Sequence, residues 1–145
     1  MPTEVEFHTG VDEPLGFACR LLRKAYRKGS RVVVTAPSAT LARLDRELWT
    51  FDERDFVPHA RWAGGAAAPA VATRTPIWLV DGEPPADCPP VLVNLGAPMV
   101  TEPARFARII EIVSGEEDEL QAGRQRWRDY KRLGLPLKQH PSIHG

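Results

Sequence analysis

Long apolar runs are missing from this sequence. No stretch approaches the ~18 consecutive apolar residues of a membrane span, so a membrane role is not expected. The opening Met1-Pro-Thr-Glu-Val-Glu-Phe7 has no basic region followed by an apolar one and does not read as a signal peptide. Cysteine is scarce as well. Cys19 and Cys88 are the only two, too few for a disulfide scaffold or a four-thiolate zinc site, which suits a reduced, cytoplasmic protein. Net charge is also absent: nineteen Lys and Arg balance nineteen Asp and Glu over 145 residues. That balance argues against whole-surface attraction to nucleic acid or to an anionic membrane, although a neutral sum can conceal local segregation.

Several chemical signatures are missing too. Neither G-x-x-x-x-G-K-[ST] nor G-x-G-x-x-G occurs. The turn after the first strand pattern reads Thr9-Gly10-Val11-Asp12-Glu13, and its two carboxylates would repel a phosphate. No G-x-S-x-G elbow is present. His140 and His144 are spaced i, i+4, but Pro141 lies between them, so a loose tail is expected there in place of a metal site. The acidic run Glu116–Glu119 reads as a helix start that complements the macrodipole. No cofactor, metal or catalytic residue is expected from these patterns.

Proline, by contrast, is abundant: 14 residues, about twice the ~5% norm. Many of them introduce or connect apolar runs. Val5–His8 reads as a short strand, and Val11, Leu15, Ala18, Leu22 and Ala25 give a helical stripe that stops at Gly29. Arg31–Thr35 is a β-branched run suited to a buried parallel strand. Ser38 starts a second helix with Leu41, Leu44 and Leu48 inside. Pro76–Val80 and Pro90–Leu95 are further strands, and Pro103–Ala107 is a short helical start. Arg108–Val113 fits either a helix or a strand, and an edge strand is the preferred reading. Ser114-Gly-Glu-Glu117 matches a capping box opening a final helix to about Leu133, stopped by Gly134 and Pro136. The expectation is one α/β domain over residues 1–145, with a mostly parallel, Rossmann-like sheet, helices on both faces and no nucleotide site. The Ala-rich stretch 63–75 is expected to be a flexible loop, and the chain to be loose from about 136.

Two stretches have the composition of contact surfaces. In the final helix Arg124, Arg128 and Lys131 form one basic stripe beside Trp127, with Arg126 and Arg132 flanking it. The segment from Arg124 carries a net +5, and Glu116–Glu119 just before it carries −4. Two readings fit: a solvated helix whose Trp127 and Tyr130 pack inward, or a basic groove suited to an acidic peptide with an apolar end. The second stretch holds Trp49, Phe51 and Phe56 among charged residues. It reads either as cover for the sheet end or as an aromatic hot spot for a protein partner.

The sequence resembles the chi subunit of bacterial DNA polymerase III over almost its full length. The resemblance is carried by Phe7-His8, Ala18–Leu21, Lys28–Val32, Leu44-Asp-Arg-Glu-Leu-Trp49, Phe56-Val-Pro-His59, Val93–Leu95 and Arg124–Gly134. It implies a non-enzymatic α/β subunit of the clamp-loader assembly that bridges two partners. One is the psi subunit, where present, with Trp49 and Phe56 matching positions that face it. The other is the acidic, apolar-ended C-terminal tail of single-stranded DNA-binding protein, with Val113, Arg124, Trp127 and Arg128 matching its pocket. Nucleic acid is then reached only indirectly. Trp127 stands where relatives carry tyrosine, and Leu120 where a lysine occurs in the family. The alternatives are a degenerate enzyme on a nucleotide-binding fold and direct single-stranded DNA binding through the basic C-terminal helix.

Overall fold

The computed structural model of the chain describes residues 3–50, 56–63 and 74–141. The order of elements is β1 (Glu4–Val11), α1 (Pro14–Arg27), β2 (Val32–Thr35), α2 (Ser38–Thr50), β3 (His59–Ala63), β4 (Ile77–Asp81), β5 (Val91–Asn94), β6 (Arg108–Ser114), α3 (Glu117–Arg132) and β7 (Leu137–Pro141). A 3-10 turn at Pro103–Arg105 precedes β6. The strands form one seven-stranded sheet, ordered β3-β4-β2-β5-β6-β1-β7, in which every neighbouring pair is parallel. This is the expected α/β architecture with helices on both faces.

The central strands are apolar on both faces because both faces are covered. Val32, Val34, Ile77, Leu79, Ile110 and Ile112 pack under α1 and α2, whose inner residues include Leu22, Leu41, Leu44 and Leu48. The alternate residues Val5, Phe7, Val33, Trp78, Ile109 and Val113 join Tyr130 of α3 and Phe106 of the connector on the other side. Gly10, at φ 65°, allows a bulge in β1 between His8 and Val11. Phe7 thereby faces α3, whereas Val11 packs into the α1 side.

Four local expectations are corrected. β6 lies between β5 and β1 and is not an edge, so its apolar residues on both faces are buried. Val11 closes β1 and does not open a helix, and α1 starts at Pro14, whose missing N–H costs nothing in a first turn. The capping box does not form. Ser114 stays in β6, Glu116 occupies the N-cap without a side-chain bond, and Ser114 Oγ accepts from the Glu116 N–H at 3.3 Å. The chain is also not loose from 136. Leu137–Pro141 pairs with β1 from Val5 to Thr9, and Gly134, at φ 77°, turns the chain from α3 towards it. The stretch 64–73 and residues 142–145, including His144, lie outside the described residues. Among the described residues no helix is long and apolar enough to cross a membrane.

Candidate functional site

The site is built on how α3 meets β6. Gly123, Arg126 and Tyr130 form the inner stripe of the helix and are buried. A Cβ at Gly123 would lie 3.1 Å from both γ-carbons of Val113, so the absence of a side chain lets the helix sit close to the strand. One turn on, Glu111 of β6 is fully buried and accepts three hydrogen bonds. Arg126 Nε donates to Oε1 at 2.9 Å, while Tyr130 Oη at 2.8 Å and Asn94 Nδ2 at 3.0 Å donate to Oε2. Burial pushes the Glu111 carboxyl up from its ordinary value, and Arg126 with the three donors pulls it back down. Burial and then Glu111 push the Tyr130 hydroxyl up, so it remains a donor. Arg126 Nη2 is buried with no hydrogen-bond partner among the described residues.

With these three positions fixed inward, the neighbouring positions fall along the rim of a cavity of about 470 Å³. Val113, Arg124, Trp127 and Arg128 all line it. Phe7 and Leu120 extend its apolar wall, and Thr9, Gly10, Gln139 and Pro141 close it from β1 and β7. Trp127 is half-buried with its ring edge-on to Phe7, centroids 5.2 Å apart. Arg124 is exposed, and Arg128 Nη2 donates to Gln125 Oε1 at 2.8 Å. Tyr130 therefore packs inward, while Trp127 lines the cavity.

The opposing −4 run does not reach this rim. Glu116 and Glu119 line a different crevice of about 800 Å³ at the carboxyl ends of the strands, together with Asp12, Glu13, Glu47 and Arg43. Nucleotide-binding folds place phosphate in the corresponding crevice, and five carboxylates against one guanidinium make it a poor place for one.

The second surface lies at the opposite sheet margin. Trp49, 61% exposed, lies at the end of α2 and packs against Phe56, 42% exposed, with ring centroids 4.8 Å apart and planes tilted by 33°. Both rings rest on His59, whose side chain is buried. Its Nε2 lies 2.8 Å from Asp45 Oδ1 and its Nδ1 2.7 Å from the Val57 carbonyl oxygen. Phe51 lies outside the described residues.

Sequence reasoning missed the Glu111–Arg126–Asn94 cluster and the wall from β7. The first had a signal, a lone glutamate inside Ile109-Ile-Glu-Ile-Val113. The close contact at Gly123 also gives a prediction. Gly123→Val drives branched methyls into Val113 and lifts α3 from β6, at a cost of about 2 kcal/mol of stability by denaturant unfolding.

Comparison with known proteins finds relatives over most of the chain. The family model described as DNA polymerase III chi subunit, HolC, matches residues 1–138. DNA polymerase III subunit chi of Pseudomonas aeruginosa is 35% identical over 127 residues, covering 87% of this chain and 84% of that protein. The Haemophilus influenzae subunit chi is 27% identical over 124 residues, covering 83% and 81%. Among solved structures, domain 2 of the Mss116p DEAD-box helicase bound to an RNA duplex has a TM-score of 0.62 at 12% identity, covering all of this chain and 65% of that one. Dbp5 of S. cerevisiae bound to RNA and ADP BeF3 has a TM-score of 0.60 at 9% identity, covering 94% of this chain and 41% of that one. At these identities the helicase likenesses show the fold alone.

Proposed function

The chain belongs to the DNA polymerase III chi subunit family, which places it with the DNA replication machinery, and on that premise we propose that it is a cytoplasmic, non-catalytic adaptor within the clamp-loader assembly. Its α3 cavity receives the acidic, apolar-ended C-terminal tail of single-stranded DNA-binding protein. Its Trp49–Phe56 pair receives the psi subunit. The observation that carries the reading is the convergence of Val113, Arg124, Trp127 and Arg128 on one cavity.

The chemistry suits such a tail. Val113, Trp127 and Phe7 provide an apolar recess for a terminal side chain, and Arg124 and Arg128 at its rim pair with the terminal carboxylate and acidic side chains. A half-open groove gives modest, salt-sensitive binding. The spacing of the two surfaces suits a bridge. From β3 to β7 the sheet crosses six inter-strand gaps, or about 29 Å at ~4.8 Å each, so both surfaces can be occupied together.

The psi surface is tested by Trp49→Ala combined with Phe56→Ala. Both rings are exposed, so the variant keeps its fold, with stability within about 1 kcal/mol of the parent. Binding to psi falls by about a hundredfold or more in a titration, as expected for a paired aromatic hot spot. Unchanged psi affinity would remove this half of the proposal.

A further inference from the structure

The α3 cavity lies on one face of the β1–β7 margin, and the opposite face holds a second cleft of about 440 Å³. α1 covers the centre of the sheet but stops short of this margin, leaving a trough between the helix and the last two strands. Its floor is apolar, with Leu21, Ala25, Val91 and Ile110.

One wall is basic. Arg20 and Lys24 of α1 and Lys28 at its C-cap follow at i, i+4, i+8, all exposed, with the Glu13 carboxylate beside the Arg20 guanidinium over Gly16. At 1.5 Å per residue their steps are about 6 Å, close to the reach of one nucleotide in an extended strand. The other wall carries rings: His8 of β1 and His140 of β7 stack at 4.9 Å with 19° between planes, and Phe17 of α1 lies 5.0 Å from His8. Glu6 is the acid lining the cleft, and it is already engaged. It accepts from Arg108 Nη2 at 2.7 Å and Nε at 3.1 Å, and lies 3.8 Å and 3.9 Å from the imidazoles. Glu4 and Lys138 extend the same strand faces with opposite charges, so the positive excess belongs to α1.

From this pairing of a helical row of cations with a flat stack of rings, we propose that the cleft binds a short stretch of single-stranded nucleic acid. About three phosphates run along Arg20, Lys24 and Lys28, and a base lies against the exposed face of His140. A row of charge alone would serve an acidic peptide equally well; the ring stack beside it favours a strand that carries bases. The neutral total charge of the chain is compatible with so short a footprint.

Protonation is coupled to this binding. Burial, then the neighbouring His140, holds His8 below its ordinary value, with Arg108 adding to the effect and Glu6 opposing it. A phosphate entering the cleft favours the imidazolium, so binding takes up protons and tightens as pH falls.

Fluorescence anisotropy of a labelled oligothymidylate of about ten nucleotides at low salt tests the proposal directly. The expected result is saturable binding whose log K falls with log salt at a slope of about −2. Affinity rises as pH falls below about 6.5, because His8 is held below its ordinary value. Lys24→Gln with Lys28→Gln, both at exposed positions, weakens binding by about tenfold and leaves the affinity for the acidic tail peptide unchanged. No anisotropy change at low salt, an unchanged double variant, a flat pH profile, or equal displacement by the tail peptide would each overturn the cleft proposal. Retained peptide binding in the same samples would leave the adaptor reading standing, because the two sites lie on opposite faces of the margin.

Discussion

Arg124→Ala weakens binding of an acidic, apolar-ended tail peptide by about tenfold or more, and adding Arg128→Ala reduces it below calorimetric detection. Each guanidinium makes charge-assisted contacts worth about 1.5–3 kcal/mol, which converts to about ten- to a hundredfold per residue. Both side chains are exposed and rim the cavity while the inner stripe holds the helix, so neither loss disturbs the fold. The same arrangement distinguishes rim from recess. Trp127→Ala removes an apolar wall, so its effect persists at high salt. The arginine effects shrink as salt rises, because the groove is half-open and exposed charges are screened within about 10 Å at 0.1 M. Titrations at two salt concentrations separate these contributions.

Arg126→Met is the most damaging single change expected in the α3 clamp. It leaves Glu111 fully buried without its counter-charge, and breaking one side of a buried pair costs about 3–5 kcal/mol. For a chain of this length that lowers Tm by about 10–15 °C. Glu111→Gln is also destabilising, and less so only because the Arg126 guanidinium that it leaves without a counter-charge lies nearer solvent than Glu111; its amide nitrogen also faces one of the donors that Glu111 accepts from. The pair Glu111→Leu with Arg126→Met recovers part of the loss, since it removes both charges together but leaves the buried Tyr130 hydroxyl without its acceptor. Thermal melts of the three variants give that order, and equal melts for Arg126→Met and the parent would remove the clamp from the account.

The sheet centre was legible because burial on both faces leaves unbroken apolar runs. Arg31–Thr35, Pro76–Val80 and Pro90–Leu95 all became strands within a residue or two of their expected limits. β6 was read as a strand at an edge, but it lies inside the sheet with its single glutamate fully buried. That charge is met from α3 and from Asn94, partners that no local pattern connects to it. β7 escaped notice for a related reason. Leu137-Lys-Gln-His-Pro141 has no apolar alternation, and its place rests on main-chain pairing with β1 and not on buried side chains. The basic stripe of α3 was half legible. Arg124, Trp127 and Arg128 were identified correctly as neighbours, while Arg126, counted among the flanking surface charges, belongs with Gly123 and Tyr130 at i, i+3, i+7 on the inner face. The neutral total charge resolves into distinct surfaces: an acidic crevice at the strand ends, a basic rim on α3 and a basic row on α1.

The central claim is that one small domain holds two partners at once at opposite margins of its sheet. Calorimetric titration with a synthetic tail peptide, carried out with and without saturating psi subunit, tests it most directly. The account predicts one-to-one binding in both cases, with the same affinity within about twofold, and loss of binding for Arg124→Ala with Arg128→Ala whether or not psi is present. Absence of binding to the parent chain, or displacement of the peptide by psi, would contradict it.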